Sequence, residues 1–156
     1  MAIQNRLNTG DRLRLFGIST VTTCPFCLYH TEDHSYLFFN CPFSEKVWMN
    51  IKSKINVAWP VLHWSGLVSY IAKSVKGNSL GSIIPRLALN CTVYLIWLDR
   101  NNRVFTKQKI PEEVLVLNIV NMVRFRVLSL KILKRNSNDS WFLATWRLPS
   151  SILRGD

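Results

Sequence analysis

A chain of 156 residues, 48% apolar and 19% charged, is long enough for a domain with a real core and too apolar for wholesale disorder. Twenty Lys and Arg against nine Asp and Glu leave a formal charge of +11, a balance that attracts polyanions: nucleic acid first, then acidic lipids and acidic proteins. "MAIQNRLNTGDRLRLF" has no apolar signal-peptide region, and the run "LALNCTVYLIWL" is shorter than the ~20 residues of a bilayer span. The expectation is an intracellular protein of nucleus or cytoplasm, neither secreted nor membrane-bound.

"NTGDRLRLFGI" reads as a short helix with Thr9 as N-cap, Asp11 in the first turn and Gly17 as the stop. The cysteine-bearing segment follows, entered through Thr22, Thr23 and Pro25. "PFSEKVWMNIKSKI" is helical, capped by Ser44, with Val47, Ile51 and Ile55 on one face. Pro60 makes "NVAWPVLHWS" a loop, with His63 at the edge of the core. "SGLVSYIAKSVK" is a third helical stretch, ending at Gly77.

"GNSLGS" divides the chain into a first unit, 1–76, and a second, 82–156. In the second, a helix from Pro85 to Phe105 places Leu87, Cys91, Tyr94, Leu95, Leu98 and Phe105 on one side, at about 100° per residue. Arg100, Arg103 and Lys107 gather on the other as a basic ridge suited to phosphate oxygens. Arg6, Arg12 and Arg14 offer a second patch. "PEEVLVLNIVNMVRFRVLSLKILKR" restarts helix with Pro111 near its first position and Glu112 and Glu113 in the first turn. It closes on Lys131, Lys134 and Arg135, the favourable sign for a C-terminus. Its apolar residues run nearly all round, so 112–133 is either deeply packed or a surface for a protein partner. "WFLATWRLP" adds a short last element. Trp48 and Phe43, at helical spacing, read as core and not as stacking platforms for bases.

Three of the four cysteines lie in "CPFCLYHTEDHSYLFFNC", with two histidines between them. Cys-x2-Cys puts two thiolates at the ends of a tight turn, where both reach one ion at about 2.3 Å. Cys41 offers a third sulfur, and His34 completes Cys-x2-Cys-x6-His-x6-Cys, whereas His30 follows Cys27 too closely. Along a continuous helix His34 and Cys41 would stand about 10 Å apart, so sharing an ion requires an irregular segment. The competing reading is three ordinary buried thiols; Cys91, on an apolar helix face, is read that way.

The wording "RLNTGDRLRLFGI…CPFC…EDHSYLFFNCPFSEKVW" resembles the reverse-transcriptase zinc-binding region of plant LINE-type (non-LTR) retrotransposons, and "LALNCTVYLIWLDRNNRVF" resembles a later segment of the same family. The resemblance spans roughly Arg6 to Phe105. It implies one structural zinc and a non-catalytic role in holding template RNA or target DNA. Cys24, Cys27 and Cys41 match residue for residue. Family members carry His immediately before "LFF", five residues ahead of the last cysteine; here that position is Tyr36.

No carboxylate cluster for two-metal chemistry, Gly-rich phosphate loop or nucleophile–base pair is visible, so no enzymatic activity is expected. The reading is a mainly α protein, with a small zinc-stabilised N-terminal module followed by a helical, bundle-like region. Zinc is assigned to Cys24, Cys27, His34 and Cys41, and the backbone of RNA or DNA to Arg100, Arg103 and Lys107. No small-molecule substrate is expected. The alternatives are a helical protein-interaction module, or a decayed element without selected function.

Overall fold

The computed structural model describes residues 7–18, 20–56, 64–74, 76–130, 133 and 135–153. Expectations concerning Arg6, His63, Lys131 and Lys134 lie outside them.

Extended backbone at Thr9 opens α1, Gly10–Leu15, and Gly17 leaves it at φ +67°, where a missing Cβ removes the steric penalty. After the cysteine segment, a π-helical turn, Tyr36–Asn40, leads into α2, Pro42–Lys52. Cys41, not Ser44, is the N-cap, because Pro42 takes the first helical position, where a missing N–H costs nothing. The Ser44 hydroxyl is buried and donates to the Leu37 carbonyl at 2.5 Å. Val47, Ile51 and Ile55 are fully buried along one side, and Trp48 is buried with its indole N–H donating to the Phe38 carbonyl at 2.6 Å.

The helix α3, Trp64–Ser74, contributes Leu67 and Ile71 to the core. Next, α4 runs from Leu80 to Asn101 and continues through a π-helical turn, Asn102–Thr106. It begins five residues before Pro85, which the helix accommodates near its N-terminal end, so part of "GNSLGS" is helical. The chain then turns back into α5, Glu112–Leu128, with Pro111 as its N-cap. A last helix, α6, Asp139–Trp146, precedes a 3₁₀ turn at Ser150–Ile152. Among the described residues there is no strand longer than an isolated bridge. The protein is mainly helical.

The buried face of α4 is rotated from the one its leucines indicate. Ile84, Ala88, Cys91, Thr92, Leu95, Ile96, Asp99 and Arg100 are buried, whereas Tyr94, Leu98 and Phe105 are 54%, 41% and 74% exposed. Against α4 lies α5 through Leu115, Ile119, Val123 and Val127. One continuous apolar core runs from Leu7 to Ile152 and includes Cys24, Phe38, Ile51, Ile84, Ile119 and Trp146. Trp146 ties α6 to the residues just after α2, its indole N–H donating to the Lys54 carbonyl at 2.7 Å. The segment Leu80–Thr106 is long and apolar enough to cross a bilayer, yet 61% of its most apolar window is buried within the protein.

Candidate metal centre

Cys24 and Cys27 are presented by a short hairpin. Thr23 and Thr31 form an antiparallel bridge, the Cys24 N–H donates to the His30 carbonyl at 2.7 Å, and the Leu28 N–H closes the turn onto the Cys24 carbonyl at 2.9 Å. Leu28 takes φ +63°, the left-handed conformation a reversal this tight demands. Cys41 arrives from the other side at the start of α2, where unsatisfied N–H groups favour negative charge. The three sulfurs lie within 4.8 Å of one another.

The spacing between Tyr36 and Cys41 explains the π-helical turn. Residues five apart on an α-helix point about 140° from each other. The wider turn, closed by the Cys41 N–H on the Tyr36 carbonyl at 2.8 Å, brings both to one side. The Asp33 carboxylate starts the turn by accepting the Tyr36 N–H at 2.8 Å. The Tyr36 hydroxyl lies 3.4 Å from Cys27 Sγ.

The thiols are arranged to lose protons unevenly. The Cys24 S–H donates to Cys41 Sγ at 3.8 Å. That bond, with burial, pushes Cys24 well above the usual thiol range. The same bond, aided by the N–H groups of Phe43 and Ser44, draws Cys41 down against the opposing effect of burial. The bond to Cys27, then burial, then the charge of Cys27 push the Tyr36 phenol up.

The donor set fits a tetrahedral, thiophilic ion. Zinc with Zn–S bonds of about 2.3 Å spaces its sulfurs about 3.8 Å apart, the separation found between Cys24 and Cys41. Three close cysteines can hold a metal ion. His34 is not part of this group. It is buried, its ring lies 4.9 Å from that of Phe38, and it lines a cleft with Asp11, Arg12, Phe16 and Asp33. Cys91 stands apart on α4, where burial pushes its thiol up.

The structure places the three basic candidates in unlike surroundings. Arg100 is 3% exposed. Its guanidinium makes two parallel bonds of 2.7 Å to the Glu32 carboxylate, and it lies 5.1 Å from the centroid of the Trp97 ring. Arg103 donates to Asp99 at 2.9 Å and to the Ile110 carbonyl at 3.0 Å. It also sits over Phe26 and Phe43, 4.8 and 4.6 Å from their centroids. Burial pushes the Asp99 carboxyl up although Arg103 acts in the other direction. Lys107 is exposed, at φ +59° beyond the end of the helix. In place of a continuous exposed ridge, the structure presents one exposed lysine and two internally paired guanidiniums. The physical reason is pairing: each arginine meets a buried carboxylate, so neither faces solvent as a bare charge.

Sequence reasoning missed Glu32 as a structural centre. It is 1% exposed, and besides Arg100 its carboxylate accepts the Gly10 N–H at 2.6 Å. Its backbone bonds to Asp11 and Thr22 as well. Gly10 is required by this approach, since a Cβ there would meet Glu32 Oε2 at 3.0 Å and the Thr22 backbone at 3.2 Å. The available signal was an acidic residue inside the first motif and an arginine inside the second, with no indication that they meet. Neither curated proteins nor solved structures give a match to the chain. Residues 1–48, which contain all three clustered cysteines and Tyr36, match the family described as zinc-binding in reverse transcriptase.

Proposed function

We propose that this chain is a non-catalytic fragment of a LINE-type reverse transcriptase whose N-terminal part is folded around one structural zinc ion, and which contacts the backbone of RNA or DNA. What carries the reading is the convergence of the Cys24, Cys27 and Cys41 sulfurs within 4.8 Å inside the stretch that matches the zinc-binding family. Zinc would be held by those thiolates and a fourth donor. It would supply folding free energy and no chemistry, by locking the hairpin to the start of α2. Four free thiols are in keeping with a reducing, intracellular compartment.

The charge of +11 supports the nucleic-acid part of the reading. With Arg100 and Arg103 engaged internally, phosphate contact falls to exposed cations, among them Lys107 and Lys109 in the loop between α4 and α5 and Arg14 of the second patch. Metal analysis of reduced, purified protein tests the first half: one zinc per chain is expected, and well under half an equivalent rejects it. RNA and DNA binding across a salt series tests the second. Affinity should fall steeply as salt rises, and no binding at low salt rejects it.

One observation favours a second reading, a module that docks on a protein. Leu117, Phe125 and Leu128 of α5 are 57%, 72% and 41% exposed, as are Tyr94 and Leu98 of α4 in part, and Tyr94 and Phe125 line one groove. An apolar interface there would be insensitive to salt.

A further inference from the structure

We propose that Tyr36 supplies the fourth metal-binding atom of the cysteine centre, through its phenolic oxygen. The inference rests on the zinc reading and adds a ligand set of three sulfurs and one oxygen. In a tetrahedral site with Zn–S near 2.3 Å and Zn–O near 2.0 Å, sulfur and oxygen ligands stand about 3.5 Å apart. The Tyr36 oxygen lies 3.4 Å from Cys27 Sγ, while Cys24 and Cys41 stand at the sulfur–sulfur spacing of the same polyhedron. The π-helical turn aims this side chain at the sulfurs, and its geometry is specific to position 36. His34, two residues earlier, lies instead against Phe38. His30 lies beside Tyr36, ring centroids 5.1 Å apart, and its ring nitrogens are not among the donor atoms that gather with the sulfurs.

On binding, three S–H bonds and one O–H bond give way to three Zn–S bonds and one Zn–O bond. The displaced protons pass to solvent and nothing is oxidised or reduced.

The test is titration of the reduced full chain with Zn²⁺ and with Co²⁺, with affinity from chelator competition and ligation from near-ultraviolet and visible difference spectra. The unmodified protein should bind one ion with a tyrosinate difference band. Tyr36→Phe should abolish that band, alter the Co²⁺ visible spectrum and weaken zinc binding by about tenfold or more. Tyr36→His should restore or exceed the original affinity without the tyrosinate band, while His34→Gln and His30→Gln should match the unmodified protein. If Tyr36→Phe does not fold, the band in the unmodified protein decides the matter alone. Zinc binding without a tyrosinate band, or weakening by either histidine substitution and none by Tyr36→Phe, overturns the assignment and leaves the zinc reading standing. Failure of the unmodified protein to bind zinc overturns both.

Discussion

Between Thr22 and Cys41 the backbone reversal and its charged and sulfur groups are held by directed polar contacts, with Leu37 and Phe38 anchoring the segment in the core. The hairpin bonds, the Glu32 carboxylate with its three donors, and the thiol pair all require particular atoms at particular distances. Between Leu80 and Leu128 the chain is held by apolar area, with Ile84, Ala88 and Ile96 of α4 and Leu115, Ile119 and Val123 of α5 shut away from water. The two regions meet at the Glu32–Arg100 pair, which spans 68 residues. A short irregular segment cannot bury enough surface to offset its ordering entropy, so it depends on specific bonds. A long helical hairpin has area to spare and tolerates local defects.

Removing the metal site should separate the two regions most severely. Cys24→Ser, or a strong chelator, should unfold the hairpin while α4 and α5 keep most of their circular dichroism, because structural zinc in small modules contributes on the order of 10 kcal/mol. Complete loss of helix would mean that the hairpin and the helices stand or fall together. The joint between the regions should come next. Arg100→Met leaves Glu32 charged, buried and without its partner, and should cost about 3–5 kcal/mol in denaturant unfolding. The double change Glu32→Leu with Arg100→Met should recover much of this, since an apolar pair needs no compensating charge. If the double variant is as unstable as the single one, the pair holds the hairpin by hydrogen bonding to Gly10 and not by charge alone.

Smaller effects sharpen the contrast. Gly10→Ala puts a methyl group against Glu32 and the Thr22 backbone and should cost about 1–3 kcal/mol. Lys107→Gln with Lys109→Gln should leave stability within about 0.5 kcal/mol. If those lysines hold phosphates, each change should lower the salt slope of nucleic-acid binding by about 0.7–0.9, with similar losses for unrelated sequences.

Several features were open to reading in one dimension because their causes are local. Thr9 and Gly17 bracket α1, the apolar spacing of Val47, Ile51 and Ile55 sets the inner face of α2, and Glu112 and Glu113 open α5. The cysteines of the metal centre were visible for the same reason, since Cys-x2-Cys is a local motif. His34 could not be placed by counting residues, because the π-helical turn changes the phase of the chain between it and Cys41.

The same limit governs α4. Its composition and periodicity determined that it is a helix, and its length of apolar sequence determined that it is largely buried. Which side faces inward was decided elsewhere. Leucine and tyrosine side chains signal burial from their own chemistry, and by that signal Tyr94 and Leu98 belong inside. Asp99 and Arg100 occupy the core instead, because Arg103 lies one turn away and Glu32 is delivered by a hairpin 68 residues earlier. A charge is admitted to a low-dielectric interior only with its partner in place. The residues of this chain determine its helices, the sulfurs of its metal centre and the one-turn Asp99–Arg103 pair, and the tertiary fold determines that Arg100 meets Glu32 and which side of α4 faces inward.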